Sequence, residues 1–135
     1  MSRSRLLLLL LLPSLLLTMA LRQAPLVDPT PIDVPAGMTA PQVGKAVKGA
    51  LIGRGWVPAN EQADGVDAML SGKDYTAKIH VAFDTKQVKI SYVDSSHLKY
   101  EVKKDGQRMI HANYMNWMRF LAQDIGRNLQ LISAN

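Results

Sequence analysis

Cysteine is absent from all 135 residues of the chain. Its absence excludes disulfides, thiolate metal ligands and a thiol nucleophile. It also excludes the lipidated cysteine by which bacterial lipoproteins are tethered. Catalytic signatures are missing as well. No serine lies in a Gly-x-Ser-x-Gly elbow. No glycine-rich loop is present to cradle a phosphate; Gly49, Gly53 and Gly55 gather at a helix end and read as packing and cap glycines. The histidines, His80, His97 and His111, are too dispersed for metal-ligand spacing, and no His-x3-His or carboxylate pair supplements them. Lysines and arginines do not cluster on one element, which argues against nucleic acid as a partner. No catalytic residue, metal ligand or cofactor is therefore assigned.

What is present begins with a leader. Arg3 and Arg5 precede an apolar stretch, Leu6 to Leu21, interrupted only by Pro13, Ser14 and Thr18. A basic start, an apolar middle and small residues at Thr18 and Ala20 form a secretory signal peptide over residues 1–20. A spanning helix needs ~20 apolar residues, and Pro13 breaks a helix near its middle. The favoured reading is cleavage after Ala20 and release into the periplasm. The alternative is an uncleaved inner-membrane anchor facing the periplasm. A buried core helix fits poorly, because such a helix is normally amphipathic and the stretch has no polar face. Without the leader the chain keeps 14 Lys+Arg against 11 Asp+Glu, a formal +3. That length holds one domain.

Residues 21–38 carry Pro25, Pro29, Pro31 and Pro35 and read as an extended, poorly ordered linker. Residues 39–135 read as a single α+β domain. Thr39-Ala40-Pro41-Gln42 has the form of a capping box with proline in the first turn. Val43, Ala46, Val47, Ala50 and Leu51 then recur at helical spacing, and Gly53 and Gly55 end the helix. Trp56 to Ala59 is a candidate edge strand, since Pro58 suits only an edge. Val66 to Gly72 is a second strand. Tyr75 to Asp84 alternates strictly, with Ala77, Ile79, Val81 and Phe83 on one side. Val88, Ile90 and Tyr92 continue that face, Asp94 to Ser96 breaks it, and Leu98 to Val102 adds a short piece. A last helix from Ala112 to Leu131 carries a stripe of Tyr114, Trp117, Met118, Leu121, Ile125 and Leu129. The order is α-β-β-β-β-α: three to four short antiparallel strands in a meander, covered on one face by the two helices. The predicted core is Trp56, Ile79, Val81, Ile90, Tyr92, Tyr114, Trp117, Leu121 and Ile125.

Two groups of side chains bear on function. Asp94, Ser95, Ser96, His97 and His111 contain the residue types of nucleophilic catalysis, but Asp and Ser are ordinary turn residues, and that role is preferred. Lys78, His80, Lys89 and Ser91 fall on the wet face of neighbouring strands. There Lys78, His80 and Lys89 form the best surface for an anionic partner. The leading expectation is a non-enzymatic domain binding an envelope protein or an anionic envelope component. A small-ligand carrier with a pocket between helices and sheet is the alternative, its walls formed by Tyr92, Tyr100, Tyr114 and Trp117. An enzyme acting on envelope polymers ranks third, since no acid/base pair is assignable.

Three segments occur in a familiar order. They are Arg54-Gly55-Trp56, Ile90 to Ser95 leading into Leu98-Lys99-Tyr100, and Ile110 to Trp117. Together they resemble a group of small exported proteins of Gram-negative bacteria, many of them lipoproteins. The resemblance covers most of residues 40–130. It implies an envelope location and a two-helix-on-sheet fold, and no activity. The chain departs from that group in lacking the lipobox cysteine. Expression of the full chain in a Gram-negative host is expected to yield a soluble product beginning at Leu21 by mass spectrometry. A membrane-retained chain of full mass would overturn the cleavage reading.

Overall fold

The computed structural model describes residues 22–135. The signal peptide read over residues 1–20 lies outside the described residues. Eight strands and two helices follow in the order β1 (Gln23–Pro25), β2 (Ile32–Asp33), α1 (Ala40–Gly53), β3 (Val57–Gln62), β4 (Gly65–Ser71), β5 (Thr76–Phe83), β6 (Gln87–Ser96), β7 (Glu101–Val102), β8 (Arg108–His111) and α2 (Ala112–Ser133).

The α+β class is the one expected, with more strands than the three to four read from the sequence. β3 to β6 form the antiparallel meander. β2 joins its far edge, giving a five-stranded sheet ordered β2-β6-β5-β4-β3. A second, three-stranded sheet is ordered β1-β8-β7. The extra strands are two to four residues long. Runs that short show no alternation, and β1 and β2 pair with residues far along the chain.

The segment read as a poorly ordered linker is extended but docked. Gln23 to Pro25 pair with His111 to Met109, and Ile32 and Asp33 pair with Val88 and Gln87. Leu26 and Met38 enter the core. The prolines removed donors without preventing short edge strands, which need only part of their donors paired.

Local chemistry sets the helix ends. The Gln42 N–H donates to Thr39 Oγ1 at 3.3 Å, and the Thr39 N–H donates to Gln42 Oε1 at 2.9 Å, completing the capping box. At the other end Gly55 adopts φ +84°, which lets the Trp56 N–H reach back to the Leu51 carbonyl at 2.9 Å. His111 caps α2 by accepting the Asn113 N–H on Nδ1 at 3.0 Å. Between β5 and β6, Asp84 Oδ1 accepts the N–H groups of Lys86 and Gln87 at 2.7 and 2.8 Å. Those bonds, Gln87 foremost, hold its carboxyl below the usual range.

The core is one cluster. It joins Val43, Val47 and Leu51 of α1 to Val66, Ile79, Val81, Val88 and Ile90 of the large sheet. Tyr114, Met118, Leu121, Ile125 and Leu129 of α2 close it. Of the predicted core, Trp56, Ile79, Val81, Ile90, Tyr114, Leu121 and Ile125 are buried. Tyr92 and Trp117 are only partly buried and pack against the cluster from its rim. β6 does not stop at Asp94. It continues to Ser96 past a register shift in which Lys78 faces Asp94 and Ile79 faces Tyr92, leaving Val93 as an extra residue. Tyr92 therefore sits beside this bulge, edge-on to Tyr114 of α2. Trp117 falls on the shoulder of the α2 stripe, stacked on Tyr75 with centroids 5.2 Å apart.

This placement ranks two substitutions. Tyr114→Ala is expected to cost ~3–5 kcal/mol and Trp117→Ala less, because its ring is half wet. Tyr114→Phe should keep or raise the melting temperature, since the buried Tyr114 hydroxyl has no hydrogen-bond partner among the described residues. Thermal and urea denaturation of the three variants checks the order.

Candidate functional site

Lys78, His80 and Lys89 do share the open face of the large sheet. His80 stands opposite Ser91, Lys89 opposite Ala82, and Lys78 opposite Asp94. The face also carries two carboxylates, Asp94 opposite Lys78 and Asp67 on β4, so its formal charge is balanced. Asp94 Oδ1 accepts the Ser95 N–H at 2.8 Å, and Asp67 stands opposite His80 in the β4–β5 ladder. Asp67 Oδ2 accepts Asn60 Nδ2 at 3.0 Å, and its Oδ1 lies 2.8 Å from His80 Nδ1. The bonds from Asn60 and then His80 hold the Asp67 carboxyl below its ordinary range. The opposite strands contributed the neutralising acids, and the pairing of β4 with β5 was not legible as an ion pair from either strand alone.

The residue types of nucleophilic catalysis are committed elsewhere. Ser95 Oγ lies 2.7 Å from the Tyr92 hydroxyl, and Ser96 Oγ lies 2.7 Å from Thr76 Oγ1. His111 is a helix cap. His97 follows β6 with φ +56°, a turn conformation. Among the described residues no group of three or more His, Asp or Glu is placed to hold a metal ion.

The aromatic residues expected to line a pocket fill space instead. Tyr100 stacks on Tyr92 at 4.8 Å, Tyr92 meets Tyr114 edge-on at 5.8 Å, and Tyr114 meets Trp117 edge-on at 6.5 Å. One contact is stacked and two are edge-to-face, the arrangements that aromatic rings prefer. Burial pushes the Tyr114 phenol well above its ordinary range.

The concavity lies at the other end of the helical layer, between α1 and the β3–β4 hairpin. It is a groove of about 470 Å³. Pro41, Gly44 and Lys45 form one wall, Ala63 and Gln62 the other, and Val66 and Phe83 the floor. Its size falls within the ~300–1,000 Å³ range of small-molecule sites. Gly44 sets its depth. A methyl group there would stand 3.1 Å from Phe83 Cζ, so glycine lets the helix settle on that ring without displacing it. Lys48 Nζ meets Glu61 Oε2 at 3.3 Å and ties the two walls together. Lys45 stands on the rim with no ion-pair partner among the described residues. An apolar floor beneath one free cation is suited to an amphipathic anion. The sequence placed Phe83 on the buried face; the groove itself depends on how α1 and the β3–β4 hairpin meet.

A second polar cluster braces the helices. Arg54 Nε donates to Asp124 Oδ2 at 2.6 Å, and Arg127 donates to Asp124 Oδ1 at 2.8 Å. The Arg54 bond holds the Asp124 carboxyl below its ordinary range.

No family model, curated protein or solved structure matches the chain.

A depressed carboxyl stabilises the fold above its unfolded pKa, and that contribution disappears as pH falls through the folded value. Asp124→Asn is therefore expected to be less stable than the parent near neutrality. The gap should close as pH drops from about 7 to about 2. Urea midpoints of both proteins across that range check the sign.

Proposed function

We propose that the chain is an exported, non-enzymatic domain of the Gram-negative envelope whose groove between α1 and the β3–β4 hairpin binds a small amphipathic anion. The groove carries the reading: a concave apolar floor of Val66 and Phe83 beneath the unpaired Lys45. Apolar burial supplies affinity there, and one charge-assisted contact at the rim fixes orientation. The periplasmic address rests on residues 1–20 and on the resemblance to exported Gram-negative proteins. Binding rather than turnover is supported by the way reactive groups are used. The serine hydroxyls and His111 hold turns, strand ends and a helix cap. The groove also favours the carrier reading over one built on the open sheet face, where acids answer the lysines.

The test uses anilinonaphthalene sulfonate, an apolar ring system with one anionic group. The exported protein is expected to enhance its fluorescence saturably at one site. Lys45→Glu should weaken binding about tenfold, equivalent to ~1.4 kcal/mol. Ala63→Trp, at an exposed wall position, should abolish it by filling the groove. A saturable signal indifferent to both variants, or no saturable signal, overturns the proposal.

A further inference from the structure

Charge is unevenly divided between the layers of this molecule. The helical layer, α1 with its cap Arg54 together with α2, carries five cations and one carboxylate, a formal +4. The rest of residues 22–135 carries nine cations and ten carboxylates, a formal −1. The cations of the helices are Lys45, Lys48, Arg54, Arg119 and Arg127. Lys48 is answered by Glu61, and the lone acid Asp124 is shared by Arg54 and Arg127. Arg119 has no ion-pair partner among the described residues. The outer face of the layer thus keeps a positive excess, while the open sheet face on the far side is balanced.

Apolar side chains stand in this basic field. Phe120, Asp124, Arg127 and Leu131 follow at steps of four, three and four along one flank of α2, off its core stripe, with Asp124 bonded to Arg54. Phe120 is 41% exposed and Leu131 60%. The Phe120 ring is flanked by guanidinium groups, with Arg54 Cζ 5.2 Å and Arg119 Cζ 5.8 Å from its centroid. Ile52, 64% exposed, adds a third apolar side chain at the end of α1 from which Arg54 projects.

The geometry points to an anionic phospholipid surface as the partner of this face. Two features favour lipid over protein. A protein hot spot gathers its anchors into one desolvated cluster. Here Phe120 and Leu131 are eleven residues apart, about 16 Å along the helix. A bilayer interface accepts separated anchors, because every point on it offers phosphate above and hydrocarbon below. Arginines beside an exposed phenylalanine match that boundary: guanidinium to phosphate, ring to acyl region. The contact is one of surface association. No helix among the described residues is long and apolar enough to cross a membrane. The charge division also orients the molecule, with the helices toward the anionic surface and the sheet away from it. This inference does not depend on the groove.

Vesicle flotation of the exported protein tests it. Vesicles of phosphatidylcholine and phosphatidylglycerol in equal parts are compared with phosphatidylcholine alone. Each cation near an anionic surface strengthens association about fivefold. The double variant Arg119→Gln/Arg127→Gln is expected to lose at least about tenfold in partitioning to the anionic vesicles. Lys103→Gln/Lys104→Gln removes the same net charge from the turn between β7 and β8 and should leave partitioning unchanged. Phe120→Ser should weaken the binding that persists at high salt, where screening removes the electrostatic part. All these positions are exposed, so matching circular dichroism melts are expected. Equal binding to neutral vesicles, or equal loss in the two double variants, overturns the proposal. Capture by soluble polyphosphate without vesicle binding also overturns it, in favour of a soluble polyanion.

Discussion

Burial of one stripe on α2 holds the molecule together. Tyr114, Met118, Leu121, Ile125 and Leu129 are nearly inaccessible to solvent, and they lie in the same cluster as α1 and the large sheet. The helix also packs on β1 and β8 of the small sheet and on β2 of the large one. Without that stripe the two sheets share no common surface, and the short strands have too few ladder bonds to persist alone. The hydrophobic term is therefore concentrated in a helix that closes the chain, and early and late segments must meet before the core is complete.

Fixing α2 in this way decides what faces water. Five positions turn inward, Arg119, Phe120, Arg127 and Leu131 turn out, and Asp124 lies largely covered beside Arg54. α1 lies alongside, with Asn128 donating to the Ala46 carbonyl at 3.2 Å and Arg54 bonded to Asp124. Those contacts make the helices antiparallel and bring their cations into one layer. The far flank of α1, resting on Phe83 through Gly44, leaves room beside the β3–β4 hairpin. The groove and the basic outer face are two consequences of the same seating of helices on sheet.

Much of the fold was legible because its signals were local. The capping box at Thr39, the Asp84 turn, the edge position of Pro58 and the alternation of β5 each depend on a few adjacent residues. The structure shows them where the sequence placed them. Less was legible of the site. Lys78 and His80 looked basic on their own strand, and Asp94 and Asp67 cancel them across the ladders. Tyr92, Tyr100, Tyr114 and Trp117 looked like pocket walls, and they stack on one another. Charge balance and ring packing are pair properties, and a single strand or stripe holds only half of each pair.

The division follows the range of the forces involved. Sequence alone determined the two helices with their caps, the central meander and the buried faces. Each rests on a propensity or a period that operates within about a dozen residues. Tertiary structure alone decided the second sheet, the docking of residues 22–38, the neutrality of the open face, the groove beneath Lys45 and the gathering of cations on the helical layer. These depend on which segments meet. That outcome is set by burial of the α2 stripe against chain as distant as Leu26, and no local pattern encodes it.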